Sequence, residues 1–454
     1  MAAVTSNQEK AGPSICGYHF QWLALLAKSL LELARQAKKL GEDDPRRIIN
    51  SLKAGLSIIL VSLFYYVEPL YSSFGVNTTS AVMTAVVIFE FSVGATLGKG
   101  VNKMLATLGA GALGLGVHRL ATLSGKTGEP VVIDLFVFAI AAMATFARIF
   151  PRLKAKCDYG LMIFILTFSL VSVSSYREEN IQKMALERLL TITVGCFITI
   201  LVNICICPVW IGEDLHNLVA LNIEKLGIFL QGFGGEYFEM YEEGLPSKDR
   251  SFLQGYKSVF NTQSREENMA NLARWEPGHG RFRFRHPWEQ YLTIGSLTRQ
   301  CAIKIDVLNN YIDRQIQPSL EIPSQVKEHC TMISLECGKA LKELSSSIRM
   351  MIRAETTLLH IGNSKIAAEN LKSLFISGLW KEADPLERAP ATAVASLLLE
   401  VIQCTERISN AVQELASLAG FQNMESSRSL EQQQESNQRI YSINLQNHEI
   451  TIGE

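Results

Sequence analysis

The chain has 454 residues, 48% of them hydrophobic and 19% charged, with a formal net charge of −1. A near-neutral balance excludes the strongly basic footprint of a nucleic-acid binder and any acidic solvating tail. The average conceals an asymmetry: residues 51–210 hold 20 Asp, Glu, Lys or Arg in 160 positions, whereas residues 211–454 hold 55 in 244. Globular sequence averages about 25% charged, so a charge-poor middle followed by ordinary soluble composition predicts a membrane protein with a large aqueous domain.

In chain order, residues 1–19 are polar and unpatterned and lack the basic–apolar–small arrangement of a cleavable signal. Insertion is therefore expected to be driven by the first spanning helix. From Phe20 to Leu40 apolar residues recur at three and four, with Lys28, Arg35, Lys38 and Lys39 on the other side. This predicts an amphipathic helix lying on a surface rather than spanning. Glu42, Asp43, Asp44 and Pro45 form a helix-start signature.

Six apolar segments follow, near 54–67, 76–93, 105–117, 131–150, 159–175 and 189–210. Each is read as a membrane helix, which needs about 20 residues to cross a hydrocarbon core of about 30 Å. Glycines crowd in and before the third: Gly94, Gly98, Gly100, Gly109, Gly111, Gly114 and Gly116. Small residues at such spacing let helices approach closely in lipid. The basic residues of the connections, eight against five, favour a cytosolic N-terminus, and an even number of spans returns the C-terminal half to the cytosol.

Beyond Glu213 the periodicity is that of amphipathic helices near 213–243, 252–274, 288–315, 323–353, 365–380 and 390–418. Residues 426–454 are rich in Gln, Asn and Ser and read as a flexible tail. The expected fold is all-α. A cytosolic N-terminus with its amphipathic helix (1–45) precedes a six-span pore domain (46–211), a helical cytosolic domain (212–420) and a tail (421–454).

Nine cysteines without a CxxC pair suggest neither a disulfide framework nor a zinc knuckle, and all nine are read as reduced. No GxSxG, Walker loop or HExxH is present, and the Gly94–Gly100 stretch lacks the GxxxxGK[ST] pattern and does not follow a strand. No enzyme activity, cofactor or metal is expected.

Cations in or beside the spans carry more information. Lys53 opens the first span, Lys103 the third and Arg188 the sixth, Arg148 closes the fourth, and Arg152 and Lys154 follow at the same end. An unpaired charge in hydrocarbon costs at least about 2.5–3.5 kcal/mol, so such groups face protein or water. Around an aqueous path they would replace part of an anion's hydration and repel cations; the alternative is that they reach to headgroups and only set topology. Glu90, a lone carboxylate in the second span, is a candidate charge partner or proton site. In Trp275-Glu276-Pro277-Gly278-His279-Gly280-Arg281-Phe282-Arg283-Phe284-Arg285-His286-Pro287-Trp288, arginine and phenylalanine alternate. An extended segment would put three cations on one face and two rings on the other. The reading preferred here is that the rings pin a loop to cytosolic helices while the arginines pair with acids or headgroups. No nucleic-acid partner is expected.

The segments DDPRRIIN (43–50), VIFEFSVGATLGKGVNK (87–103), FPRLKAKCDYGLMIFILTFSLVSVSSYR (150–177), CPVWIGEDLH (207–216) and WEPGHGRFRFRHPW (275–288) are similar in kind and order to the plant aluminium-activated malate transporter family. The resemblance implies a homodimeric anion channel, six spans per subunit in a lipid bilayer, passing malate and other organic or inorganic anions. It also implies a pore lined by Lys53, Lys103, Arg148, Lys154, Arg177 and Arg188, with Trp275, Glu276 and Pro277 as a cytosolic-domain motif. The connection at 68–75 lacks the acid that aluminium-responsive members share there, and Lys183 stands where they tend to be acidic. Ser80 stands where many members carry Trp. Aluminium activation is therefore not expected. The plasma membrane is favoured over the vacuolar membrane. A proton-coupled organic-acid exporter using Glu90 and a non-conducting membrane scaffold are the rival readings.

Overall fold

In a computed structural model, residues 44–67, 78–174, 176, 181–243, 250–313, 324–377 and 385–423 are described, together with isolated positions between 28 and 42. Among them there is no strand beyond two isolated bridges, so the all-α expectation holds. Most of the proposed amphipathic helix at 20–40, the connection at 68–75, Arg177 and the 426–454 tail lie outside the described residues. The chain divides into two compact units, Met1–Val209 and Trp210–Glu454.

The first unit contains α1 (Pro45–Tyr66), α2 (Thr78–Ile88), α3 (Val93–Thr122), α4 (Gly125–Ala147), α5 (Pro151–Ser174) and α6 (Ile181–Cys205). Asp44 caps α1, its carboxylate accepting from the Arg46 amide at 3.2 Å, with Pro45 in the first turn. That satisfies a donor the helix itself cannot. Among the described residues five helices are long and apolar enough to cross a membrane. The second expected span is the exception. α2 has 11 residues, about 16 Å of rise, and the chain leaves helical geometry at Phe89 and Glu90. Ser92 then caps α3, its hydroxyl accepting from the Ala95 amide at 3.2 Å. The apolar run at 87–93 conceals this break because a side-chain pattern does not register a hydroxyl competing for backbone donors. α3 consequently begins well before the expected 105 and takes Gly94, Gly98 and Gly100 into its first turns.

α6 packs against α1, α2 and α3, while α5 packs against α3 and α4. Close approach has a local cause at Gly195: a Cβ there would lie 2.7 Å from the Ala81 carbonyl oxygen, so α6 meets α2 backbone to backbone. The unit's outer surfaces carry exposed large apolar side chains such as Leu52, Ile59, Met83, Leu105, Phe138 and Phe197, while Ser57, Thr84, Thr96, Thr191, Thr199 and Asn203 are buried.

The second unit begins with α7 (Ile211–Glu243), then a 3-10 stretch (Arg250–Asn261), α8 (Gln263–Ala273), α9 (Trp288–Asp313), α10 (Ser324–Met350), α11 (Thr357–Ser377) and α12 (Pro385–Ala419). The helix expected over 252–274 is divided at Thr262, whose hydroxyl bonds the Val259 carbonyl at 2.9 Å and the Glu266 carboxylate at 2.8 Å. One continuous core, including Leu226, Phe229, Phe233, Tyr256, Tyr291, Ile305, Leu341 and Leu398, joins α7, α9, α10 and α12.

Candidate functional site: a ladder of buried cations and a capped helix

Lys53 is only 2% exposed. Its ammonium donates to Asn203 Oδ1 at 2.7 Å, to the Cys207 carbonyl at 3.4 Å and to the Asn203 carbonyl at 3.5 Å. Cys207, just before Pro208, adopts a left-handed φ of 41°, and its carbonyl serves this lysine. Asn203 is the hub. Its amide nitrogen donates to Thr96 Oγ1 at 2.6 Å, to the Glu90 carbonyl at 3.1 Å and to the Ser92 carbonyl at 3.5 Å. One side chain thus ties α1 and α6 to the break between α2 and α3. Asn203 is the sole amide in the apolar run ITILVNICIC, which is the one sequence signal of this hub.

Lys103 does not open a span; it lies in the third turn of α3 and is 8% exposed. It follows Gly100 by three residues on the same helix face, and the Gly100 carbonyl meets the Cys196 thiol of α6 at 4.0 Å. Arg188 sits near the start of α6, half-buried, with its Nε buried and unpartnered among the described residues. None of these three cations forms an ion pair with a described residue. All three index to α6, at Arg188, beside Cys196 and against Asn203. Successive steps of eight and seven residues are about two turns, which keeps them within roughly one face, and fifteen residues rise roughly 22 Å.

The other expected pore residues stand differently. Arg148 caps α4 and donates through Nε to Asp158 Oδ1 of α5 at 2.7 Å, with a second contact to Oδ2 at 3.4 Å. The pair forms a clasp across the α4–α5 turn. Lys154 is exposed, and Arg177 lies outside the described residues. Glu90 stands in the non-helical break, where its carboxylate is ion-paired with Lys99 of α3. Lys183 reaches Glu187 at 3.9 Å.

In the second unit the Trp275–Trp288 segment is pinned, but not by simple alternation. Phe282 is buried against His286 and Trp288, whereas Phe284 is 70% exposed. A tight turn, His279 N to Phe282 O at 3.0 Å with the reciprocal bond at 2.9 Å, breaks the extended register. Arg281 donates to the Met350 carbonyl at 3.1 Å. The Glu276 carboxylate accepts from the backbone amides of Ile211 at 2.6 Å and Gly212 at 3.1 Å, capping α7 at its positive end. Gly212 is required there: a Cβ would sit 2.5 Å from the Trp288 ring and 2.9 Å from Glu276 Oε2. Burial pushes the Glu276 carboxyl up to about 7, against the pull of the two amides. Trp275 is 41% exposed, and the Pro277 carbonyl accepts from His279 Nδ1 at 2.9 Å. The Tyr291 hydroxyl bridges His216 Nδ1 at 2.8 Å and His286 Nε2 at 3.1 Å, and burial pushes both imidazoles down to about 4.

Among the described residues no group of three or more His, Cys, Asp or Glu could hold a metal ion, and the eight cysteines there are free thiols.

The family profile described as "Aluminium activated malate transporter" matches residues 38–380. Aluminum-activated malate transporter 2 of Arabidopsis thaliana is 49% identical over 395 residues, covering 86% of this chain and 79% of that one. Aluminum-activated malate transporter 7 of the same plant is 47% identical, covering 86% and 83%. Aluminum-activated malate transporter 1 of Triticum aestivum is 39% identical and covers 90% of each chain. With five candidate spans and this match along most of its length, the chain is a multi-pass membrane protein belonging to the aluminium-activated malate transporter family.

Proposed function

We propose that the protein is an anion channel that passes malate and other organic or inorganic anions by electrodiffusion. It would act as a homodimer in a plant plasma membrane. The relatives' names supply malate as the first permeant anion to test. The observation that carries the mechanism is the run of Arg188, Lys103 and Lys53 along α6, each without an ion-pair partner among the described residues. Cations without a counter-ion keep their field directed at the path, so a divalent anion entering it meets attraction at successive depths. Sites of modest strength, spaced apart, let it enter and leave. The exporter reading finds less support, because Glu90 is ion-paired with Lys99.

Voltage clamp of cells expressing the chain, with malate inside, tests this reading. The current should reverse at the malate Nernst potential. A reversal that shifts with pH in fixed stoichiometry would mark a coupled carrier, and no current in correctly targeted protein would mark a scaffold.

A further inference from the structure

The Trp275–Trp288 segment encloses a cleft of about 240 Å³ that the transport reading does not use. Arg274, Glu276, His279, Arg283, Arg285 and His286 supply its polar wall. Ligand pockets for drug-sized molecules run about 300–1,000 Å³, so this one is the size of a headgroup. Its acid is committed, since both Glu276 oxygens bond the α7 amides. Arg274 is spent on an ion pair with Glu289. Arg283 and Arg285 are not: neither has an ion-pair partner among the described residues. The Arg283 guanidinium rests against Gly420 at the end of α12, and Arg285 lies 5.7 Å over the exposed Phe284 ring. Arg285 also holds a left-handed φ of 62°, a strained conformation for a non-glycine residue of the kind that clusters at ligand sites. His279 is stacked on Trp210 at 3.8 Å with Nδ1 committed to Pro277, and its Nε2 is buried and unpartnered among the described residues.

We propose that this cleft is a phosphate-binding site, taking the phosphate group of a small phosphate monoester on the guanidiniums of Arg283 and Arg285, which both line it. Two uncommitted guanidiniums match a group that carries about −1.5 to −2 charges and three acceptor oxygens near neutral pH. A single carboxylate offers less charge and two oxygens. The phosphate can come from a soluble metabolite or from an inositol-lipid headgroup, since either presents the same chemistry.

The test uses the full chain in nanodiscs of zwitterionic lipid, and its readout is binding, so it is independent of whether the protein conducts. The soluble probes are inorganic phosphate, inositol trisphosphate and succinate; a parallel arm adds a phosphatidylinositol phosphate to the disc lipid. Saturable binding of inositol trisphosphate is expected, competed by inorganic phosphate and not by succinate, and weakened at least tenfold by Arg283→Gln with Arg285→Gln. The paired lysine variant keeps charge but loses the guanidinium geometry, so it should fall between the two; it also serves if the glutamine variant does not fold. Binding confined to the lipid-containing disc, with the same loss in the variants, assigns the phosphate to a headgroup. Unchanged affinity in both variants, equal competition by succinate, or no binding in either arm overturns the proposal.

Discussion

The two units bury their charges in opposite ways. In Trp210–Glu454 two buried carboxylates are answered by cations, while Glu276 meets only backbone amides. Glu266, with no exposed surface, accepts from Arg299 at 2.5 Å, from Thr262 at 2.8 Å and from Asn222 at 3.2 Å. Glu336 likewise meets Lys339 at 2.7 Å and His360 at 2.8 Å. In Met1–Val209, Lys53 and Lys103 are buried and Arg188 half-buried, none with an ion-pair partner among the described residues. The apolar side chains are inverted too. The second unit gathers its large apolar side chains into one continuous core, while the first has three small clusters and turns many of its leucines and phenylalanines outward. Lipid removes the hydrophobic drive for packing between helices, so small residues and polar contacts hold them. An unanswered cation is costly in that setting.

Mutations can break this contrast, and the largest effect belongs to the answered charge. Glu266→Gln leaves Arg299 partly buried without its counter-ion, and loss of one partner of a buried pair costs about 3–5 kcal/mol. Chemical denaturation of the full chain should show that loss in the second unit's transition, with or without transport. Lys53→Gln should act the other way round. It leaves hydrogen-bonding capacity toward Asn203 and should change expression and melting little, while malate current falls about tenfold or more. A Lys53 variant that misfolds as badly as the Glu266 variant would make the ladder a structural device and remove the contrast.

The third effect is a pH dependence with opposed signs. His216 and His286, held at about 4 by burial, bind protons in the unfolded chain below its usual 6.5, so their contribution is lost as pH falls from 6.5 toward 4. Glu276, raised by burial from 4.5 to about 7, holds its proton in the folded chain, so its contribution is lost as pH rises between those values. Between about 4.5 and 6.5 the two histidines outweigh the one acid by a single proton. Stability should then rise with pH by about 1.4 kcal/mol per unit. Glu276→Gln should steepen that rise, and a flat profile for the native chain would remove the burial argument. The smallest effect is expected at the α4–α5 turn. Arg148→Gln should reduce malate current less than twofold, and exchanging Arg148 and Asp158 should restore what is lost. A loss matching that of Lys53→Gln would return Arg148 to the permeation path.

Much of this architecture could be read along the chain. The expected helices at 213–243, 288–315 and 390–418 correspond to Ile211–Glu243, Trp288–Asp313 and Pro385–Ala419. The start at Asp44–Pro45 stands as read. Periodicity and capping are local, and locality is what a linear pattern records. The failures are also of one kind. Arg148 reads as an isolated cation because Asp158 answers it across a turn. The second span reads as continuous because Ser92 interrupts it with a hydroxyl inside an apolar run. Phe284 reads as an anchor because the alternation says nothing of the turn at His279.

Composition and pattern, then, determined that this chain is helical, that it carries several apolar helices able to span a membrane and that cations sit in or beside them at a cost. Which of those cations remain unanswered was decided only in three dimensions. Asn203 reaches Lys53 over 150 positions of chain, and Glu276 reaches the start of α7 over 64 and 65. The electrostatic fate of a side chain depends on what lies within about 4 Å of it, and sequence separation carries no information about that distance once helices pack against one another.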